Sequence, residues 1–198
     1  MNEEENESCI VSNIENPLTK ESIDVYPLVE QVIWPWKNTR KRQPIYRTCY
    51  CSQQVLDFIE HNKDRRSLGT TSIGQQTKSI LNQFVSTPNY AAIGQFTDAK
   101  PLGPITKMRP VVFSGPNVWE MRTTDVRIFG WIHVTPNIFV AICAVTKDEL
   151  VDENGIEIPE AYDKKIDYVV AWRDYYSIDA SVVWKGIGDD APKHFSKQ

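Results

Sequence analysis

The chain has 198 residues, 41% of them hydrophobic and six of them Trp, enough apolar material to build a real core. No run approaches the roughly 18 to 20 apolar residues of a membrane span, and the acidic start Met1-Asn2-Glu3-Glu4-Glu5 is the opposite of a basic signal-peptide segment, so a cytoplasmic protein without a membrane partner is expected. The net charge of -4 hides segregation: residues 1–30 carry one Lys against eight acids, the centre from 31 to 147 sums to +9, and residues 148–198 carry six basic against twelve acidic side chains.

Residues 1–20, rich in Glu and Asn and without apolar periodicity, are expected as a flexible acidic arm. The apolar, proline-broken stretch Ile23 to Trp36 reads as extended chain, followed by a basic loop with Lys37, Arg40, Lys41 and Arg42 and a short strand from Ile45 to about Cys49. Ser52 is placed to cap a helix over 53–63, in which Val55, Leu56, Phe58 and Ile59 recur at helical spacing. Ile73, Ile80, Leu81 and Phe84 mark a second helix, about 72–85, that stops before Thr87-Pro88.

From Ile105 the pattern becomes β, with strands at 105–113, 118–122, 126–134 and 138–145 expected as an antiparallel meander. An acidic loop around Asp148 to Gly155 leads to a third helix, about 160–177, with Pro159 at its start. The fold class expected is therefore α+β: a meander over about 105–145 packed with two or three helices, in a single domain over 21–178 between acidic flexible ends, the tail being 179–198.

The chemistry concentrates in the hairpin. A two-residue turn at Thr124-Asp125 pairs Met121 with Ile128 and Arg122 with Arg127, setting Trp119, Met121, Val126, Ile128, Ile132 and Val134 on one apolar face. The other face then carries Glu120, Arg122, Arg127, Phe129, Trp131 and His133. A three-residue loop Thr135-Pro136-Asn137 would bring Ile138, Val140 and Ile142 onto the core face. Two arginines side by side call for a negative partner, which is either Glu120 in an ion pair within the sheet or an external anion such as phosphate. In a phosphodiester reaction His133 would move a proton while Arg122, Arg127 and Lys147 stabilise the developing charge. Phe129 and Trp131 are candidates for stacking on bases.

Cys9, Cys49, Cys51 and Cys143 show no zinc-type spacing, and no phosphate-cradling Gly loop or nucleophile elbow is present, so no metal or cofactor is expected. Cys49 and Cys51 would share one side of their strand.

The segment Val118-Trp119-Glu120-Met121-Arg122-Thr123, with Asp125-Val126-Arg127-Ile128-Phe129-Gly130-Trp131, resembles the strand pair of RelE/HigB-type toxins over about residues 112–147. The resemblance implies a small α+β endoribonuclease that cuts messenger RNA on the ribosome and is held by an antitoxin protein. Arg122 and Arg127 match the family's basic strand positions, and His133 and Lys147 are looser counterparts. The alternative is a non-catalytic protein-interaction module of phage or mobile-element origin.

Overall fold

A computed structural model describes residues 33–36, 44–66, 71–86, 107–110 and 117–185, the segment 107–110 by its backbone. The acidic arm, the basic loop at 37–42, the loop 87–104 and the end of the tail, 186–198, lie outside the described residues. The elements run β1 (Trp34–Pro35), β2 (Thr48–Cys51), α1 (Gln53–His61), α2 (Ile73–Ser86), β3 (Lys107–Pro110), β4 (Trp119–Arg122), β5 (Val126–Ile132), β6 (Ile138–Thr146) and α3 (Pro159–Tyr175).

The fold is α+β. The sheet has the order β1-β2-β6-β5-β4-β3, and β3 to β6 form the expected antiparallel meander. The sheet as a whole is mixed, because β2 lies parallel to β6, with Thr48 opposite Ile138 and Cys51 opposite Ala141. Helices α1 and α2 pack on one face and α3 on the other. Every residue of β5 and β6 is consequently buried, which is why Ile138 to Thr146 reads as a continuous apolar run rather than an alternating one.

Each face has its own core. Val55, Ile59, Ile80, Leu81 and Phe84 from the helices meet Trp119, Met121, Ile128, Ile132 and Phe139 of the sheet. On the far side, Tyr162, Ile166, Val169 and Trp172 of α3 cover Phe129, Trp131, Val140 and Val145. Fully burying one side chain such as Ile128 contributes on the order of 1.5 to 3 kcal/mol.

Local signals start and stop the helices. Ser52 accepts from the Val55 amide at 3.4 Å and donates its hydroxyl to the Ile142 carbonyl at 2.6 Å, so it caps α1 and ties it to β6. Pro159 opens α3, and Ser177, at φ 51°, turns the chain away after it. Arg47 donates to the Phe84 carbonyl at 3.2 Å near the C-terminal end of α2, where a cation is favoured.

Two expectations are corrected. The second turn is a four-residue loop, Val134 to Asn137: the His133 amide bonds the Ile138 carbonyl at 3.1 Å, and Asn137 takes φ 67°, a left-handed conformation that Asn tolerates. One extra loop residue flips the face of everything after it. Ile138, Val140 and Ile142 therefore face α3, Phe139 and Ala141 face α1 and α2, and Val134 is exposed. A bulge then resets the alternation: Phe129 pairs with Cys143 but Gly130 with Ala141, leaving Ile142 as the extra residue.

The second correction concerns the chain after 178. Residues 180–184 are docked at the end of β5. The Val134 amide bonds the Val182 carbonyl at 2.8 Å, the Trp184 amide bonds the Ile132 carbonyl at 2.9 Å, and the Trp184 ring lies 5.4 Å from that of Trp119.

Candidate functional site at the β4–β5 hairpin

The hairpin has the register its sequence specifies: Met121 faces Ile128 and Arg122 faces Arg127. Thr124-Asp125 is not one of the Asn-Gly or Asp-Gly pairs that favour a tight turn on their own, and the turn is held from outside. The Thr123 hydroxyl accepts from the Val126 amide at 3.0 Å and donates to Gln76 Oε1 at 2.9 Å. The Gln76 amide nitrogen in turn donates to Asp125 Oδ2 at 2.7 Å. A side chain of α2 thus clamps the turn.

Glu120, wholly buried, stands between the two arginines. Arg122 Nη1 lies 3.6 Å from Glu120 Oε1, and Arg127 Nε lies 4.0 Å from Glu120 Oε2. Arg127, also buried, donates Nη1 to the Thr123 carbonyl at 2.7 Å and to the Val126 carbonyl at 3.0 Å, which fixes its guanidinium against the turn. Arg122 keeps 27% of its side chain exposed. The neighbouring strand sets Lys107 opposite Arg122 and Arg109 opposite Glu120.

Helix α3 closes this corner. Tyr162 presents its ring edge to Phe129, with centroids 5.9 Å apart, and its hydroxyl donates to Glu157 Oε1 at 3.3 Å. Burial raises the Tyr162 phenol above its ordinary range, Glu120 adds to the shift, and Arg127 opposes it.

The four residues singled out by sequence divide into two groups. Arg122 and Arg127 are adjacent, and Lys147 joins them at the turn end, where its amide bonds the Asp125 carbonyl at 2.7 Å and its side chain is half-buried. His133 lies six residues beyond Arg127 along β5, about 20 Å at strand rise. It is buried, and its Nδ1 accepts from the Thr135 amide at 2.9 Å, which puts the proton of the neutral ring on Nε2. Between the two groups stand Phe129 and Trp131, both buried. The Trp131 ring lies 5.6 Å from Trp172, and the Arg173 guanidinium lies 5.8 Å from its centroid. Phe129 and Trp131 are therefore core residues, and stacking on bases is closed to them.

Cys49 and Cys51 share a face, as their spacing requires, and that face is the core under α1 and α2. Burial pushes the Cys49 thiol well above its ordinary range, with Cys51 adding to the effect, and pushes Cys143 up to about 11. These thiols are neutral packing groups. Among the described residues no group of three or more His, Cys, Asp and Glu could hold a metal ion, and no helix is long and apolar enough to cross a membrane.

Gln76 and Tyr162 complete the site without a sequence signal of their own, since one reads as an ordinary helix-surface amide and the other as part of an apolar stripe. Comparison of the chain with protein-family models, curated proteins and solved structures finds no match in any of the three.

Proposed function

We propose that this protein is a non-catalytic interaction module. The observation that carries the reading is the separation along β5: a proton-transfer group and its anion-stabilising arginines must meet around one reacting phosphate, within a few ångströms of each other, and His133 stands about 20 Å from Arg127 at strand rise. The buried carboxylate of Glu120 supports it further, because it occupies the position beside Arg122 and Arg127 that a phosphate would otherwise take.

The test is expression of the wild-type chain with growth and RNA integrity followed, and incubation of the pure protein with RNA in the presence and absence of ribosomes. No growth arrest and no cleavage is expected. Cleavage that disappears in His133→Ala or Arg122→Ala, with the unfolding transition retained, would restore the RelE-type ribonuclease.

A second reading, RNA held without cleavage at the outer corner of the hairpin, is favoured by the cross-strand register that sets Lys107 beside Arg122 with Arg127 next in the row. With Arg127 buried against the turn and Glu120, contact with about two phosphates of a single strand gives a log–log salt slope of about -1.4. A flat salt response removes it.

A further inference from the structure

Away from the hairpin, a groove of about 450 Å³ opens between α1 and Tyr168 of α3. It lies beside β6 where β2 has ended: β2 pairs only as far as Ala141, and farther along the Gln54 side chain takes the place of a neighbouring strand. Its Nε2 donates to the Ala144 carbonyl at 3.0 Å and its Oε1 accepts from the Ala144 amide at 2.7 Å.

The polar atoms of the groove are sorted by role. The three side-chain amide nitrogens each donate within the protein: Gln54 Nε2 to the Ala144 carbonyl, Gln53 Nε2 to Asp57 Oδ1 at 2.8 Å, and Asn62 Nδ2 to the Phe58 carbonyl at 2.8 Å. His61 Nδ1 lies 2.7 Å from the Asp57 carbonyl, which can only accept, so Nδ1 carries a proton, and in the neutral tautomer the lone pair is at Nε2. Beside these bonds the groove offers three acceptors: Asp57 Oδ2, Nε2 of that His61 tautomer, and Asn62 Oδ1. The walls add the rings of Phe58 and Tyr168, and among the described residues the lining includes no Lys or Arg.

We infer that this groove receives the arginine side chain of a partner protein. These acceptors suit a ligand that brings several donors, carries positive charge to meet Asp57, and presents a face to aromatic rings. A guanidinium has five N–H donors, no acceptor, and a plane that stacks on Phe and Tyr. An ammonium, a compact and strongly hydrated point charge, meets the first two requirements and fits the rings less well. The volume exceeds that of one guanidinium, leaving room for the aliphatic stem. The inference names the contact chemistry of the interaction module proposed above and rests on that reading for the source of the arginine.

Titration of the isotope-labelled full-length chain with N-acetyl-arginine N-methylamide tests it. Saturable shifts of the Phe58, His61 and Tyr168 signals are expected, at least tenfold weaker binding of the lysine analogue, and no response to the citrulline analogue, which has the same shape without the charge. Asp57→Asn, which still accepts from Gln53, should weaken arginine binding at least tenfold without moving the unfolding transition. Absence of saturation, an equal response to citrulline, or an unchanged Asp57→Asn variant overturns the site. If Arg40→Gln with Arg42→Gln shifts the His61 signals before any ligand is added, the chain fills its own groove and the partner assignment falls. The RNA cleavage assay reads none of these signals, so the failure of one proposal is distinguishable from the failure of the other.

Discussion

The two faces of the sheet solve the same problem with different materials. Under α1 and α2 the sheet packs through apolar side chains, with Trp119, Met121, Val126, Ile128 and Phe139 filling the space. Under α3 charged and polar groups are buried: Glu120 with Arg127 on the strands, and on the helix the Tyr162 phenol and Arg173, whose guanidinium lies over Trp131. A face built on area loses stability in proportion to the atoms removed, whereas a face built on a buried ion pair fails when one partner is taken and tolerates the loss of both.

The strongest break of the comparison is where the two faces share one constraint. At Gly130, pairing with Ala141 beside the bulge, an added Cβ would overlap the Val140 carbonyl oxygen and the Phe139 ring, and backbone of the central pair cannot move aside without losing its ladder. Gly130→Ala is expected to cost more than about 4 kcal/mol and to leave little folded protein, as circular dichroism and urea unfolding will show. A mild effect would mean that β5 and β6 do not approach as described.

Next in size is the charge test itself. Glu120→Ala leaves Arg127 buried beside an empty site and should cost about 3 to 5 kcal/mol in chemical denaturation. The double variant Glu120→Leu/Arg127→Met should recover most of that loss. If the double variant is as damaged as the single one, the pair contributes by its hydrogen bonds to the turn rather than by mutual neutralisation, and the two faces differ less in what stabilises them.

Alkaline pH acts on both faces, and more gently. The Cys143 thiol, on the α3 side, is held up to about 11 by burial, with Lys165 opposing and Glu149 adding to the shift. The unfolded chain ionises first, near 9, and so binds fewer protons than the folded chain between those two values; stability therefore falls as pH rises from about 9 to about 11 and levels beyond. The loss attributable to this thiol is on the order of 2 to 3 kcal/mol. Burial raises Cys49, Tyr50 and Tyr162 in the same sense. Urea midpoints measured through this window should slope downward, and Cys143→Ala should flatten the slope in part. An unchanged slope would mean that the thiol is solvated.

The parts of this architecture that were legible from sequence are those set by local pattern. The first hairpin register followed from alternation, because Met121 and Ile128 had to share a face, and the caps at Ser52 and Pro159 followed from residue chemistry. The second turn misled because a three-residue and a four-residue loop differ by one unit of parity, and in a run apolar on both faces, Ile138 to Thr146, nothing in the sequence reports which parity is correct. The parallel pairing of β2 with β6 joins residues some 90 apart, as the Ser52 and Gln54 bonds to β6 do, and local pattern carries no information at that range. At the site, the relation of Arg122 to Arg127 was legible because it is a register. The placement of His133 away from them was contained in the same strand, since six residues of strand are a distance as well as a face.

The smallest expected effect tests whether α2 positions the hairpin or merely lies against it. Gln76 reaches the turn with both atoms of its amide, accepting from Thr123 and donating to Asp125, and these bonds are partly buried. Gln76→Ala removes both while leaving the Thr123 hydroxyl to hold the Val126 amide, so a loss of about 1 to 2 kcal/mol is expected from urea unfolding. Gln76→Glu keeps the length and the acceptor but sets a carboxylate against Asp125, and should cost more than the truncation. If the two variants are equally mild, the turn is set by Thr123 alone, and the hairpin's register belongs to the strands without help from the helix that covers them.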